Sequence, residues 1–210
     1  MSWSIERFQE APSASHARPL PIPARRAVWV FEPTVAALVL GSTQRVEVAE
    51  GAHEVVRRRS GGGAVWVVPG EVLWVDVLVP ATDPLWDGDV GRAFEWLGDL
   101  WSAVLADLGV ATTVHRGAPR RSQWGDSVCF AGLGPGEVVN MAGQKVVGMA
   151  QRRTRSVARL QCAVLGRWDP VTVAGLLALP PVAADDLLSV AAGVGVPLGR
   201  LLEAFLAALP

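Results

Sequence analysis

Two short stretches of this chain carry residue types suited to chemistry. The first, Arg57-Arg58-Arg59-Ser60-Gly61-Gly62-Gly63-Ala64-Val65, runs straight into a strand-like sequence. Three consecutive glycines cost backbone entropy, so a fold that keeps them has a use for the missing side chains. Without Cβ atoms, main-chain N–H groups can line an anion or a carbonyl-bearing ligand at close range. Adjacent arginines add charge-assisted hydrogen bonds to phosphate or carboxylate. The plain alternative is a flexible loop with solvated arginines. No Gly-Lys-Ser/Thr closes it as in a Walker loop, and it lacks the dinucleotide fingerprint. The second stretch is Gly143-Gln144-Lys145-Val146-Val147-Gly148-Met149-Ala150-Gln151-Arg152-Arg153. An ammonium entering an apolar strand is a compact point charge for a nearby phosphate or carbonyl. Its plain alternative is an edge-strand lysine that blunts aggregation.

The other reactive side chains are few. Cys129 and Cys162 form neither a disulfide framework nor a metal-ligand spacing. Cys162, in the apolar run 160–165, reads as packing. His16, His53 and His115 pair at no spacing that suggests a metal or a triad, and read as structural or surface residues. There are nine tryptophans and no tyrosine. Trp66 and Trp74 could line an apolar tunnel, whereas Trp96 and Trp101 belong to a helix and the core.

The elements that position these residues follow from periodicity. Residues 1–26, rich in Pro, Ala and Ser over 11–26, read as an extended lead-in. Residues 27–210 read as a single catalytic domain with a short helical C-terminal region and no separate accessory domain. Ala27–Phe31 and Ala36–Leu40 are β-like. Residues 64–68 and 72–79 flank the turn signal Pro69-Gly70-Glu71, which predicts a hairpin. Both faces of 72–79 are largely apolar, which predicts a central strand in which Asp76 needs a partner if buried. Apolar residues at spacings of three and four predict a helix over 88–109, stopped by Gly109. A second hairpin is predicted over 137–141 and 145–149, a strand near 158–165, and short helices near 171–178, 183–193 and 197–208. The fold class is α/β (α+β): antiparallel hairpins in a mixed sheet, with helices packed on it.

Composition sets limits around this picture. The chain has 210 residues, half of them hydrophobic, and a net charge of −1. A domain this size buries roughly 70% of its unfolded surface and needs no disulfide or structural metal. Nothing global points to nucleic acid or to an anionic membrane. The N-terminus lacks the apolar run of a signal peptide, and no stretch reaches ~18 uninterrupted apolar residues. The cytoplasm is the expected location.

Taken together, Arg-Arg-x-Ser-Gly-Gly-Gly-Ala-Val and, about 80 residues on, Lys-x-x-Gly-x-Ala-x-Arg resemble the lipoate–protein ligase A and octanoyltransferase family. Leu38-Val39-Leu40-Gly41-Ser42-Thr43-Gln44 is similar to the family's Leu-Gly-x-x-Gln segment. Cys129-Phe130 and Gly136-Glu137-Val138-Val139 precede the lysine hairpin as in many relatives. The similarity spans about residues 25–180. It implies a fold related to biotin protein ligases, a mixed, largely antiparallel sheet cradling an acyl group. It also implies attachment of an octanoyl or lipoyl group to a lysine of a lipoyl carrier domain, in a 2-oxoacid dehydrogenase E2 or the glycine cleavage H protein. In the ligase branch ATP, with Mg²⁺, first converts the acid to an acyl-adenylate. By this resemblance Lys145 would stabilise negative charge at the mixed anhydride. Arg58, Ser60, Gly61, Gly62, Gly63, Ala64 and Val65 would line the acyl and adenylate site. Gly148 and Ala150 would keep the pocket floor open, with Gln151 and Arg152 as lesser carry-overs. No permanently bound metal is implied.

The sequence also departs from the family pattern. Trp66-Val67-Val68-Pro69-Gly70-Glu71 stands where ligases usually place His-Asp and then Gly-Asn. Leu160-Gln161 stands near the usual His-Gly, and the chain ends without room for the C-terminal domain of larger bacterial ligases. These departures bear on substrate and adenylation more than on fold. A competing octanoyltransferase mechanism would make Cys129, 16 positions before Lys145, a nucleophile that takes the acyl group from acyl carrier protein without ATP. The plain alternative for Cys129 is an inert small hydrophobe. A third possibility is a degenerate paralogue that binds an acyl or biotin-like ligand without transferring it. Lipoate, octanoate, biotin or another short acyl acid all suit an apolar pocket.

Overall fold

The structure, a computed structural model, describes residues 2–45, 47–49, 51, 54–179 and 181–210. His53 lies outside the described residues. The main sheet has seven strands in the order β1-β2-β7-β11-β10-β9-β8. These are β1 (Ser4–Glu10), β2 (Ala27–Pro33), β7 (Val72–Pro80), β8 (Thr112–Val114), β9 (Val138–Asn140), β10 (Lys145–Arg153) and β11 (Val157–Leu165). Among the described residues of this sheet only β1 and β2 pair in parallel. A second, three-stranded sheet places β3 (Ala37–Leu40) between β5 (Glu54–Arg57) and β6 (Val65–Val67). A two-stranded ribbon joins β4 (Glu47–Val48) to β12 (Leu177–Leu179). The helices are α1 (Pro12–Ala17), α2 (Glu95–Asp107), α3 (Pro170–Leu176), α4 (Ala184–Leu187) and α5 (Leu198–Ala207).

Alternation along β7 builds the two cores. Leu73, Val75, Val77 and Val79 face Leu97, Trp101, Val104 and Leu105 of α2 and Leu201 and Phe205 of α5. Trp74 and Leu78 face Ala37, Val39, Val56 and Val67 of the smaller sheet. The layers are therefore helices, large sheet and small sheet. All nine residues of β7 are buried between β2 and β11, as a strand apolar on both faces requires. Its one charge, Asp76, is bonded to Arg159 Nε and accepts from Trp74 Nε1 at 2.8 Å. Burial pushes the Asp76 carboxyl up, against the pull of Arg159.

Four local expectations are corrected. Pro69-Gly70 does make a turn, with Glu71 N–H on Val68 O at 3.1 Å, but its flanking strands form no hairpin. β6 pairs with β3 in the small sheet and β7 with β2 and β11 in the large one, so this turn carries the chain between layers. The helix expected over 88–109 is regular only over α2, after a 3₁₀ turn at Arg92–Phe94. Before it, Asp89 Oδ1 takes the N–H groups of Gly91 and Arg92, which holds a turn in place of helix. The lead-in is only partly irregular: Ser4–Glu10 forms an edge strand whose Phe8 stacks on Phe31 at 5.6 Å, and Pro12 starts α1. Of the helix expected over 183–193 only Ala184–Leu187 forms, because residues 190–192 pair with Lys145 instead. No described helix is long and apolar enough to cross a membrane.

Candidate active site

The glycine loop is shaped from within. Arg58, 4% exposed, donates to the carbonyls of Val39 at 3.0 Å, Gly61 at 2.7 Å and Gly63 at 2.8 Å. Burial lowers its proton affinity. This guanidinium folds the loop back on β3, where the three carbonyls take the place of water. Arg57 does the same outside, bonding Gly41 O at 2.8 Å and Gln44 O at 2.9 Å. Gln44 accepts from Gly41 N–H and donates to Ser127 O at 2.7 Å. The Leu38–Gln44 segment is thereby a clamp between the glycine loop and the segment before Cys129. Gly63 lies so close to that segment that a Cβ there would stand 2.6 Å from the main-chain N of Cys129. Beyond it, Ala64 N–H donates to Ser127 O at 2.8 Å and Cys129 N–H to Ala64 O at 2.9 Å. Cys129 is thus held by main-chain bonds on a 3₁₀ turn, Cys129–Ala131.

Lys145 enters from the far side of the site. A bulge or irregularity between Lys145 and Val147 shifts the register of β10 against β9. Its own peptide is bracketed by the C-terminal region: Lys145 N–H donates to Val190 O at 2.9 Å, and Lys145 O accepts from Ala192 N–H at 3.1 Å. The ammonium, with a side chain only 3% exposed, donates to Glu137 Oε2 at 2.9 Å and to Cys129 O at 2.7 Å. It also lies 5.2 Å from the Phe130 ring centroid. Glu137 is itself tied down, accepting Gly134 N–H at 2.6 Å and Met149 N–H at 2.9 Å. An ammonium has three N–H donors. Among the described residues two are engaged, which leaves one for a ligand. Glu137 was within reach of sequence reasoning only as an acid opening the apolar run Glu137-Val138-Val139.

Two cavities meet at Cys129. One is apolar, about 500 Å³ with its open mouth included, and lies between the two sheets. Val39, Val65 and Val67 line it from the small sheet, and Gly148, Ala150 and Ala163 from the large one. Gly148 is needed because the Phe130 ring lies over it, 3.0 Å from where a Cβ would stand. Gln161 lines the same cavity and accepts from Ser60 Oγ at 2.8 Å. His16 and Trp74 also line it, with ring centroids 4.6 Å apart. Burial first, then Arg159 and Arg58, lower the His16 pKa to about 3, so its imidazole is neutral. The other cavity is an open cleft of about 710 Å³ with its mouth included, whose lining carries the charged residues Arg120, Arg121, Asp126, Glu137 and Lys145 beside Gly61 to Gly63, and is for this called the polar cleft. Cys129 and Met149 line both.

Most of the sequence candidates therefore gather at one place. Lys145, Cys129 and Gly61 to Gly63 line the cleft; Arg58, Val65, Gly148 and Ala150 line the apolar cavity. Ser60 and Ala64 support them by hydrogen bonds. Gln151 and Arg152 line neither cavity. Gln151 donates to Val90 O at 2.6 Å, and Arg152 Nη1 is buried without a hydrogen-bond partner among the described residues. Trp74 lines the apolar cavity and Trp66 does not, while Trp101 stacks on Phe205 at 4.0 Å in the core. Cys162 is buried, and burial pushes its thiol up to about 12. His115 is buried, its Nε2 3.0 Å from Ala118 O. No group of three His, Cys, Asp or Glu close enough to hold a metal occurs among the described residues.

The fold has counterparts among proteins of known structure. A bipartite lipoate protein ligase from Thermoplasma acidophilum, described with its E2 lipoyl domain, aligns with a TM-score of 0.71 at 16% identity. The alignment covers 99% of this chain and 82% of that one. Protein Ta0514 of T. acidophilum, with bound lipoic acid, aligns with a TM-score of 0.72 at 15% identity, covering 99% and 84%. A lipoate-protein ligase A bound with ATP aligns at 0.66 and 15%, again covering 99% and 84%. At these identities the likeness shows the fold. No curated protein matches the chain by sequence. The family model for the lipoyl protein ligase A/B catalytic domain matches residues 23–187, most of the chain, and the protein belongs to that family.

Proposed function

We propose that this protein moves an octanoyl or lipoyl group onto a lysine of a lipoyl carrier domain, with the acyl chain in the apolar cavity and its carbonyl beside Cys129 and Lys145. The supporting observation is that an apolar cavity and a polar cleft adjoin at Cys129, with the Lys145 ammonium on the polar side. In the leading reading the donor is an acyl-adenylate made from ATP. Its phosphate would lie in the cleft with Arg120 and Arg121, and the free N–H of Lys145 would hold the acyl oxygen as charge develops. Mg²⁺ usually binds through one or two carboxylates and substrate phosphates, and Asp126 is a carboxylate on that cleft. The carrier amine attacks the acyl carbon, the amide bond forms, and AMP and a proton leave. The acceptor would be the lipoyl domain of a 2-oxoacid dehydrogenase E2 or the glycine cleavage H protein.

A second reading is favoured by the place of Cys129, a nucleophile type at the junction of both cavities. In it the Cys129 thiolate displaces the thiol of octanoyl-acyl carrier protein, and the carrier amine then displaces Cys129 from the thioester. The two readings separate by intact mass of an apo lipoyl domain in two mixtures. One contains ATP, Mg²⁺ and octanoate or lipoate; the other contains octanoyl-acyl carrier protein and no ATP. Mass gain only in the first, retained in Cys129→Ala, supports the ligase. Gain only in the second, abolished by Cys129→Ala, supports the transferase. No gain in either sinks both and leaves a binding protein.

A further inference from the structure

The apolar cavity has two unlike ends. Gly148 on β10 stands opposite Ala163 on β11, which stands opposite Trp74 on β7. Neighbouring strands lie ~4.8 Å apart, so this row spans roughly 10 Å. Its middle carries nothing larger than a methyl group, and Ala150 lines the same space from the next row. The reactive end, at Cys129 and Phe130, opens towards the cleft. At the other end stands the Trp74 indole, backed by Phe31 at 4.7 Å and covered by His16.

His16 reaches this position through a segment that is anchored on several sides. β1 pairs along the edge of the large sheet. In α1, Ser15 O accepts from Arg159 Nη2 at 2.9 Å, and Ser13 N–H donates to Glu54 at 3.3 Å. Arg18 closes back on Glu10. His16 precedes the family match over residues 23–187, and Trp74 lies within it.

We infer that His16 and Trp74 form the end wall of the acyl site, and that His16 sets the longest straight acyl chain the cavity accepts. This rests on the reading of the apolar cavity as the acyl site. The uncharged imidazole, tilted against the indole with ring centroids 4.6 Å apart, offers a weakly polar stop to an alkyl terminus. The row length suits a medium-length chain, and any longer one must displace the ring.

The test measures binding of straight-chain fatty acids from hexanoate to tetradecanoate by titration calorimetry, using the full chain and the variants His16→Ala and His16→Trp. The unmodified protein is expected to bind a medium length best. His16→Ala moves the optimum about two carbons longer, raising decanoate affinity relative to octanoate about tenfold, the effect of two further buried methylenes. His16→Trp moves the optimum shorter. An identical length profile in all three proteins overturns the inference, as does failure of the unmodified protein to bind any of these acids. Length-selective binding without carrier acylation would instead sink the transfer reaction and leave the end wall standing.

Discussion

Replacing Glu137 by glutamine keeps the size of the side chain and removes its charge, at a place where three donors converge. Oε2 takes the Lys145 ammonium and Gly134 N–H; Oε1 takes Met149 N–H. In either orientation the new NH₂ group faces at least one of these donors, and the Lys145 charge keeps neutral partners only, the Cys129 carbonyl and the Phe130 ring among them. Both side chains of the pair are almost fully buried, 3% and 6% exposed. Breaking a buried pair on one side costs about 3–5 kcal/mol, because the remaining charge is left uncompensated. At the lower figure, Tm for a chain of this size falls by roughly 6–12 °C. Lys145→Met should cost less, since two backbone N–H groups still hold the carboxylate. The double variant should recover part of the loss, with a coupling of about 2 kcal/mol in a double-mutant cycle read by urea unfolding. Glu137→Gln unfolding with the unmodified protein, or a cycle that is additive within about 0.5 kcal/mol, would refute the account of Glu137 as the support that holds Lys145.

Three further outcomes follow from single contacts. Gly148→Val places branched carbon against the Phe130 ring and into the apolar cavity, so octanoate affinity should drop at least about tenfold while Tm moves by only a few degrees; calorimetry showing unchanged affinity would remove Gly148 from the cavity floor. Asp76→Asn leaves Arg159 buried without its carboxylate and should destabilise by about 3 kcal/mol, a loss read by chemical denaturation. The Cys162 thiol, near 9 when unfolded and about 12 when folded, stays protonated longer in the native state. Its contribution is complete below pH 9 and fades as pH rises towards 12, with a slope of up to about 1.4 kcal/mol per pH unit. Cys162→Ala should therefore flatten the alkaline limb of the stability curve, and an unaltered limb would contradict the burial argument.

The parts of this fold legible in the sequence are those where one strand or helix dictates its own environment. A strand apolar on both faces, Val72–Pro80, had to be central, and its lone acid had to be paired. The spacing of Leu97, Trp101, Val104 and Leu105 marked the buried face of α2. What stayed hidden depends on partners distant in sequence. The Pro69-Gly70 turn has hairpin chemistry, yet turn chemistry does not choose the sheet each flanking strand joins. Glu137 lies eight positions from Lys145, and the two charges meet only once β9 is paired with β10 in the folded sheet. His16 sat within a Pro-, Ala- and Ser-rich segment whose composition concealed that it packs at all. In sequence Arg58 has the character of a ligand-facing cation, and in the fold its guanidinium is bonded to three carbonyls of its own scaffold.

The bracketing of the Lys145 peptide by Val190 and Ala192 has a consequence for how this catalytic unit is divided. The family match ends at residue 187, just short of the carbonyl and the N–H that complete the main-chain bonding of Lys145. A fragment trimmed to that boundary would leave a buried donor and a buried acceptor unmet at the centre of the site. It would also lose the Phe205 ring that stacks on Trp101 behind the large sheet. The unit that packs around Lys145 is thus wider than the stretch matched by the family model. Any chimera that carries this cleft into another protein of the family should include residues 188–207.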